Sequence, residues 1–382
     1  MTGKKALLLA LALALVLGIV ACASTPKADT GDTGDTAPAP AEGPKIAIVT
    51  SPSGVDDGSF NQDNYEGAQA FVAEHAGATV TPVREADMAN AVKAVEGIVG
   101  DYDVIITPGF QFAPIAAIAQ SNPDKKFILV DSFPTDEAGA EVEVENIYAM
   151  QFAEQESGFF AGIAAAKETK SGKVAVVNGI AFPSNVNYQF GFESGVNYAN
   201  KNLGAKATIV ELPSYAGTDV NEKKVGGNYI GDFSDEAGGK KVGEALLAKG
   251  VDVLFVAAGA SGNGVFTAVK EAGNAWVIGC DVDQYDDGAN GDSNIVLTSA
   301  LKVMDINVQR QLDAVVDGSF KGGNFVLQAN TDSTGYVAEE GRQQLSAETL
   351  DFLAKAYDEV KAGTIVPASN FNGNTPEKFP GL

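Results

Sequence analysis

Carboxylates dominate the residues of this chain that could do chemistry. Asp and Glu number 50 against 26 Lys and Arg, with one histidine, His75, and two cysteines, Cys22 and Cys280. One imidazole excludes histidine-rich zinc sites and permits at most one histidine-dependent triad. His75 follows Phe71-Val-Ala-Glu at a helix end, where it complements the helix dipole. Two cysteines are too few for a disulfide scaffold. A net charge of −24 repels phosphate backbones, so no nucleic-acid partner is expected.

The carboxylates are not scattered. Acids, phenyl rings and glycines recur immediately after short apolar runs: Ser51 through Asp57, Phe60 and Asn61 after Ile46–Thr50; Gly109-Phe110 after Val104–Thr107; Asp131-Ser132 after Lys126–Val130. Further on come Phe233 just before a helix, Gly259 after Val251–Val256, Asp281 after Trp276–Gly279, and Lys302 after Ile295–Thr298. Aromatic faces with a few polar groups suit a flat ligand carrying a hydroxylated part. A nucleoside has that shape, and aspartates accept hydrogen bonds from ribose hydroxyls and ring N–H groups. A phosphate-bearing ligand would be repelled by the same acids.

Each feature also has a plainer reading. Asp57-Gly58-Ser59 is a turn and helix cap by type. The glycines of 259–264 allow a tight strand-to-helix turn and lack the lysine of a P-loop. Asp281-Val-Asp-Gln-Tyr-Asp-Asp-Gly only loosely matches a calcium loop, with Tyr285 at a ligand position and no closing glutamate. Lys302 could lie on the surface and the phenylalanines in the core. Cys280, inside Trp276-Val-Ile-Gly-Cys, reads as a buried, inert thiol.

The elements that must position these residues alternate. Strands are expected at Ile46–Thr50, Thr79–Pro82, Val104–Thr107, Lys126–Val130, Lys173–Val177, Thr208–Leu212, Val251–Val256, Trp276–Gly279 and Ile295–Thr298. Helical periods fall at Asn64–His75, Met88–Val99, Pro114–Ser121, Gln155–Lys167, Asn187–Asn200, Asp235–Lys249, Gly264–Ala272, Val303–Val316 and Ser346–Lys361. Continuous rather than alternating apolar strands indicate parallel sheets covered on both faces. The fold class is therefore α/β, with doubly wound sheets too numerous in strands for one lobe. Ligands of such sheets bind beyond the carboxyl ends of the strands.

The first segment is an address. Lys4 and Lys5 precede an apolar run from Ala6 to Val20 that ends in Ile19-Val-Ala-Cys22. The run is short for a membrane span and right for a signal peptide. Its end resembles a bacterial lipobox, which places residues 1–21 in a removed signal peptide and a lipid such as palmitate on Cys22. Residues 22–44 are small, Pro, Gly and Asp residues that cannot bury enough surface to fold, and read as a tether. The expected location is the cell envelope, lipid-anchored and facing periplasm or exterior.

At Asp56-Asp57-Gly58-Ser59-Phe60-Asn61-Gln62 the chain resembles the basic membrane protein family, the PnrA-like nucleoside-binding lipoproteins of ABC transporters. The likeness continues in order through Thr107-Pro-Gly109-Phe110, Val130-Asp131-Ser132, Gln155-Glu-Ser-Gly-Phe-Phe-Ala-Gly162, Phe190-Gly-Phe-Glu-Ser-Gly195, Gly231-Asp-Phe233-Ser-Asp235, Gly259-Ala-Ser-Gly-Asn-Gly264, Asp281-Val-Asp283-Gln284 and Thr298-Ser299-Ala-Leu-Lys302. The resemblance implies a type I periplasmic-binding-protein fold: two doubly wound parallel-sheet lobes joined by a hinge of three crossings. The lobes are expected at 45–131 plus 300–325 and at 132–299 plus 326–382. It implies a nucleoside base stacked between Phe60 and Phe233, the base edge on Asp131, and the ribose on Gly259, Asp281 and Lys302. Asn61 orients the loop or touches ligand. Where many members carry Asp after the first strand, this chain has Ser51, and the tract Ala181–Asn187 also departs from relatives. The implied partners are a nucleoside, expected to be a purine one, an ABC permease and the membrane. The chain is expected to act as a monomer without cofactor, metal or enzymatic activity.

Three other functions compete with that one. A surface nucleoside hydrolase would use Asp57 with Asp281 or Asp283 and a divalent ion, but with the acids on separate loops and no histidine acid. A receptor for another flat or sugar-like molecule would use the same rings. A surface adhesin has little support beyond exposure.

Overall fold

A computed structural model describes residues 43–382. The expected signal peptide, Cys22 and nearly all of the expected tether lie outside the described residues. Among the described residues no helix is long and apolar enough to cross a membrane.

Two six-stranded sheets carry the fold. The first runs in the order Gly323–Leu327, Ile147–Phe152, Lys126–Val130, Val104–Pro108, Lys45–Thr50, Thr79–Arg84, all parallel. The second runs Thr334–Tyr336, Val296–Lys302, Trp276–Asp281, Val253–Ala257, Lys173–Asn178, Thr208–Ile209, parallel except for its first strand. Apolar side chains on both faces explain the covering helices. In the first lobe Ile46 and Ile48 pack on the side of α1 (Phe60–Glu74) and α8 (Met304–Asp317), while Val49 packs with α2 (Ala91–Ile98) and α3 (Ala116–Ser121). In the second lobe α4 (Glu154–Glu168), α5 (Pro183–Asn202) and α9 (Ala347–Lys361) cover one face, and α6 (Glu236–Ala248) and α7 (Ala260–Ala272) the other. This is the α/β periplasmic-binding-protein fold.

The chain passes between the sheets three times: after Phe152, after Lys302 and after Leu327. The crossings correct the expected lobe limits. Residues 132–152 belong to the first lobe, because Ile147–Phe152 pairs with Lys126–Val130. Residues 300–302 end a strand of the second sheet, and Val326 and Leu327 finish a strand of the first. Three strands of the two sheets are absent from the sequence reading: Ile147–Phe152, Gly323–Leu327 and Thr334–Tyr336. Conversely, Thr208–Leu212 narrows to Thr208–Ile209.

Helix pairs approach closely wherever glycines repeat four residues apart. A Cβ on Gly158 or Gly162 of α4 would overlap the carbonyl of Tyr188 or Phe192 on α5, and Gly191 and Gly195 answer against Gln155 and Phe159. Gly239 and Gly264 do the same between α6 and α7. Two motifs shared with the resembled family are thus packing seams. Gly162→Ala and Gly195→Ala are expected to destabilise the fold by about 1–3 kcal/mol each. Urea unfolding measures this, and a midpoint unchanged in both would show that the seam relaxes freely.

Candidate functional site

The strand-end residues picked out above, Ser132 excepted, converge on one cleft between the lobes. Its lining includes Ser51, Asp57, Phe60, Asn61, Phe110 and Asp131 from the first lobe and Phe233, Gly259, Asp281 and Lys302 from the second, around about 600 Å³ of space that opens partly to solvent.

Backbone geometry sets the side chains. Asp131 and Asp281 each end a strand in the left-handed region, with φ of 65° and 68°. Aspartate tolerates this region better than most residues, yet it is seldom adopted. The turn points both carboxylates across the strand ends. Gly259, with φ 51° and ψ −141°, caps α7 in a conformation open to glycine. Phe233 is held just above it: its carbonyl accepts from Ser261 N at 3.0 Å and from Ser53 Oγ at 3.1 Å. Its ring lies over Gly179, where a Cβ would collide with it.

Asp57 and Asn61 organise the loop that begins α1. Asp57 Oδ1 accepts from Ser59 N and Gln62 N, each at 3.1 Å, and Oδ2 from Asn61 N at 3.0 Å and Asn61 Nδ2 at 2.8 Å. Four donors occupy the acceptor capacity of a carboxylate. The turn-and-cap reading of Asp57 therefore describes its contacts, although it lines the cleft. Asn61 Nδ2 also donates to Ser51 Oγ at 3.0 Å. Asn61 Oδ1 and Asp131 Oδ1 are buried without a hydrogen-bond partner among the described residues. Such oxygens are costly unless something donates to them.

Lys302 is the centre of charge. Its side chain is only 2% exposed, and Nζ donates to Asp131 Oδ2 at 2.6 Å and Glu154 Oε1 at 3.3 Å. It also stands 5.0 Å from the Phe60 ring centroid and 5.6 Å from that of Tyr188. Burial opposes its charge, but Asp131, Glu154 and Asp281 outweigh burial and hold its pKa above the ordinary lysine value. Burial pushes the Asp131 carboxyl up, with Lys302 pulling it back. The same burial raises Glu154 to about 7 against the pull of Lys302.

The two lobes touch through polar contacts at the rim. Ser59 Oγ donates to Asp281 Oδ2 at 2.7 Å, and Gln284 Nε2 donates to the Gly58 carbonyl at 3.1 Å. Tyr188 OH holds the other Asp281 oxygen at 2.8 Å. Phe110 meets Phe182 at 5.4 Å between centroids, and Phe182 meets Phe233 at 5.9 Å. Phe182, Ser184 and Asn185, within the tract Ala181–Asn187 singled out above, form a wall of the cleft, while Tyr188, Gln111 and Met88 also line it and were not among the expected residues. The signal for Phe182 was available. It lies just beyond the strand Lys173–Asn178, but α5 starts at Pro183 rather than at the expected Asn187.

Other residues singled out in the sequence have plain structural places. Among the described residues no cluster of His, Cys, Asp or Glu could hold a metal ion. Asp283 and Asp286 of the loose calcium-like loop pair with Arg342 instead, at 2.6 and 2.8 Å. His75 ends α1, its ring stacked 4.0 Å from Phe71. Cys280 is a buried free thiol whose pKa burial drives well up.

The comparisons with known proteins agree with this architecture. The family model described as "ABC transporter substrate-binding protein PnrA-like" matches residues 45–211 and 216–361. The chain belongs to that family. It is 31% identical to the "ABC transporter nucleoside-binding protein BmpA" of Lactococcus lactis subsp. cremoris over 85% of this chain and 89% of that one. It is 28% identical to the "CD4+ T-cell-stimulating antigen" of Listeria innocua over 95% and 98%. Among solved structures, an ABC transporter solute-binding protein from Aeropyrum pernix superposes with a TM-score of 0.71 at 24% identity, covering 86% of this chain and 94% of that one. The substrate-binding fold and the family are thereby shown.

The buried acids give stability a definite pH dependence. Asp63 of α1 accepts from Met304 N and Asp305 N at the start of α8, at 3.1 and 3.2 Å. Burial, with Asp305 adding to it, raises its pKa to about 8. An acid whose pKa is raised by folding holds its proton where the unfolded chain has lost it. It therefore contributes stability at low pH that is lost as pH rises from roughly 4 towards the folded value. The melting temperature is expected to fall between about pH 5 and pH 8, and Asp63→Asn to flatten that fall, as calorimetry across pH will report.

Proposed function

We propose that this family member is the nucleoside receptor of an ABC importer, with purine nucleosides as its ligands. The observation that carries the reading is the pairing of half-buried phenyl rings from both lobes with partnerless buried acceptors in one cleft. The base stacks between Phe60 and Phe233 while its N–H groups donate towards Asp131 and Asn61. The ribose hydroxyls meet Asp281, Lys302 and the backbone at Gly259. Ser51 borders the base edge through Asn61, and Phe110 closes the wall. The nucleoside name of the Lactococcus lactis relative supports the reading. The aspartates are already engaged with Ser59, Tyr188, Arg342 and backbone N–H groups, which favours binding over hydrolysis.

Ligand bridges the lobes and shuts them, so its hydrogen bonds are not shared with water. The permease docks on the surface that closure creates. The lipid on Cys22 keeps the receptor at the outer side of the membrane, and the monomer is the working unit. A Cys22→Ser variant made in a bacterial host is expected to leave the membrane fraction and lose the lipid mass. Retention with the lipid still attached would refute the anchor.

Each base–aromatic contact is worth about 1–3 kcal/mol. Calorimetry with inosine should therefore show Phe233→Ala binding roughly tenfold to a hundredfold more weakly, and Asp281→Asn also weaker. D-ribose alone should not bind measurably. Equal affinity of wild type and both variants would contradict the site, and native mass spectrometry of freshly purified protein would name any retained compound.

A further inference from the structure

The first turn of α4 fastens all three crossings between the lobes. Ala153 N donates to the Leu327 carbonyl at 2.8 Å, joining the first crossing to the third. Glu156 Oε2 accepts from Ala329 N at 2.8 Å and Thr334 Oγ1 at 2.5 Å, just beyond the third. Ser157 Oγ donates to the Leu301 carbonyl at 2.7 Å, just before the second. Glu154 differs from these neighbours because its partner is the site lysine. Its Oε1 accepts from Lys302 Nζ at 3.3 Å, and its Oε2 is held by Asn187 Nδ2 at 2.9 Å.

We propose that Glu154 is a positioning residue for ligand capture: it anchors the Lys302 ammonium to the hinge, independently of the lobe that carries Asp131. The geometry makes this necessary. Lys302 has a flexible stem and two carboxylates within reach. Asp131 stands on the first lobe and moves with it when the cleft opens, whereas Glu154 and Lys302 belong to adjacent crossings. Without Glu154 the ammonium has Asp131 as its sole close carboxylate and follows the first lobe away from the ribose position. Asn187 fixes the Glu154 carboxylate so that it does not follow Lys302. The role is one of placement, since Glu154 does not line the cleft.

The titration of Glu154 supports the same role. Burial raises it to about 7, so its charge changes near neutrality. The groups facing it are Lys302, Asp131 and Asn187, together with Tyr188 and, beyond Lys302, Asp281. Of these, Asp131 is the other raised acid, and Glu154→Gln separates the two contributions.

The test has two readouts, and the first rests on the nucleoside reading. Inosine affinity, measured by calorimetry across about pH 6 to 8, is expected to tighten several-fold with rising pH in the wild type. Glu154→Gln is expected to bind roughly tenfold more weakly at the upper end, with that rise lost, and Glu154→Asp to recover part of both. The second readout needs no ligand: the Lys302 ammonium resonance in ¹⁵N-lysine-labelled protein should titrate with a midpoint near 7 in the wild type and not in Glu154→Gln. Wild-type affinity and pH profile retained in a folded Glu154→Gln, or a Lys302 resonance indifferent to that change, overturns the proposal. Should the wild type bind no nucleoside, the ligand reading falls, and the Lys302 resonance alone decides the role of Glu154. Should Glu154→Gln not fold, Glu154→Asp decides: a Lys302 resonance whose position and titration change with the shortened side chain upholds the role, and one identical to the wild type overturns it.

Discussion

A single buried ammonium organises this molecule. Lys302 ends a strand of the second lobe, begins the second crossing, reaches Asp131 on the first lobe, and lies against the rings of Phe60 and Tyr188. Taking such a charge out of water is expensive, and only closely placed carboxylates make it tolerable. Asp131, Glu154 and Asp281 provide that, and their number exceeds the one positive charge they surround. That surplus of acids favours the neutral, hydroxylated ligand we propose over an anionic one.

The acids on either side of the lysine are shaped by the same constraint. Asp131 and Asp281 adopt left-handed backbone conformations that place their carboxylates over the strand ends. Strain of this kind persists where the surroundings over-determine it, and it collects at functional sites. The raised pKa values of Asp63 and Glu154 have the same origin: carboxylates held out of water beside the crossings. The cleft region thus gives up stability that apolar packing elsewhere supplies. That packing is dense, as the glycine seams of α4 with α5 and of α6 with α7 show.

Much of this was legible in the sequence because two periodicities were strong. Buried parallel strands read as unbroken apolar runs, and in open α/β sheets the residues just past each strand's carboxyl end face the ligand. That rule alone brought Phe60, Asp131, Gly259 and Asp281 together from widely separated positions. The features that escaped had physical causes. Ile147–Phe152 reads IYAMQF, and Gly323–Leu327 reads GNFVL, each mixing polar with apolar residues as edge or near-edge strands do. Missing them displaced the lobe limits. For Asp57 the sequence offered both a ligand role and a turn-and-cap role, and it could not show that four local donors surround the carboxylate that lines the cleft. Tyr188 was hidden within a helical period and Glu154 stood one residue before another, where a buried polar residue has no distinguishing spacing.

The central claim is that the lobes close on a nucleoside with its base between Phe60 and Phe233 and its ribose on Asp281 and Lys302. A crystal structure of the protein grown with inosine tests this most directly. The expected result is density for a base between those two rings, with ribose hydroxyls within hydrogen-bond distance of the Asp281 carboxylate and Lys302 Nζ. Inosine bound elsewhere, or the two rings packed against each other with no ligand between them at saturating inosine, would contradict it.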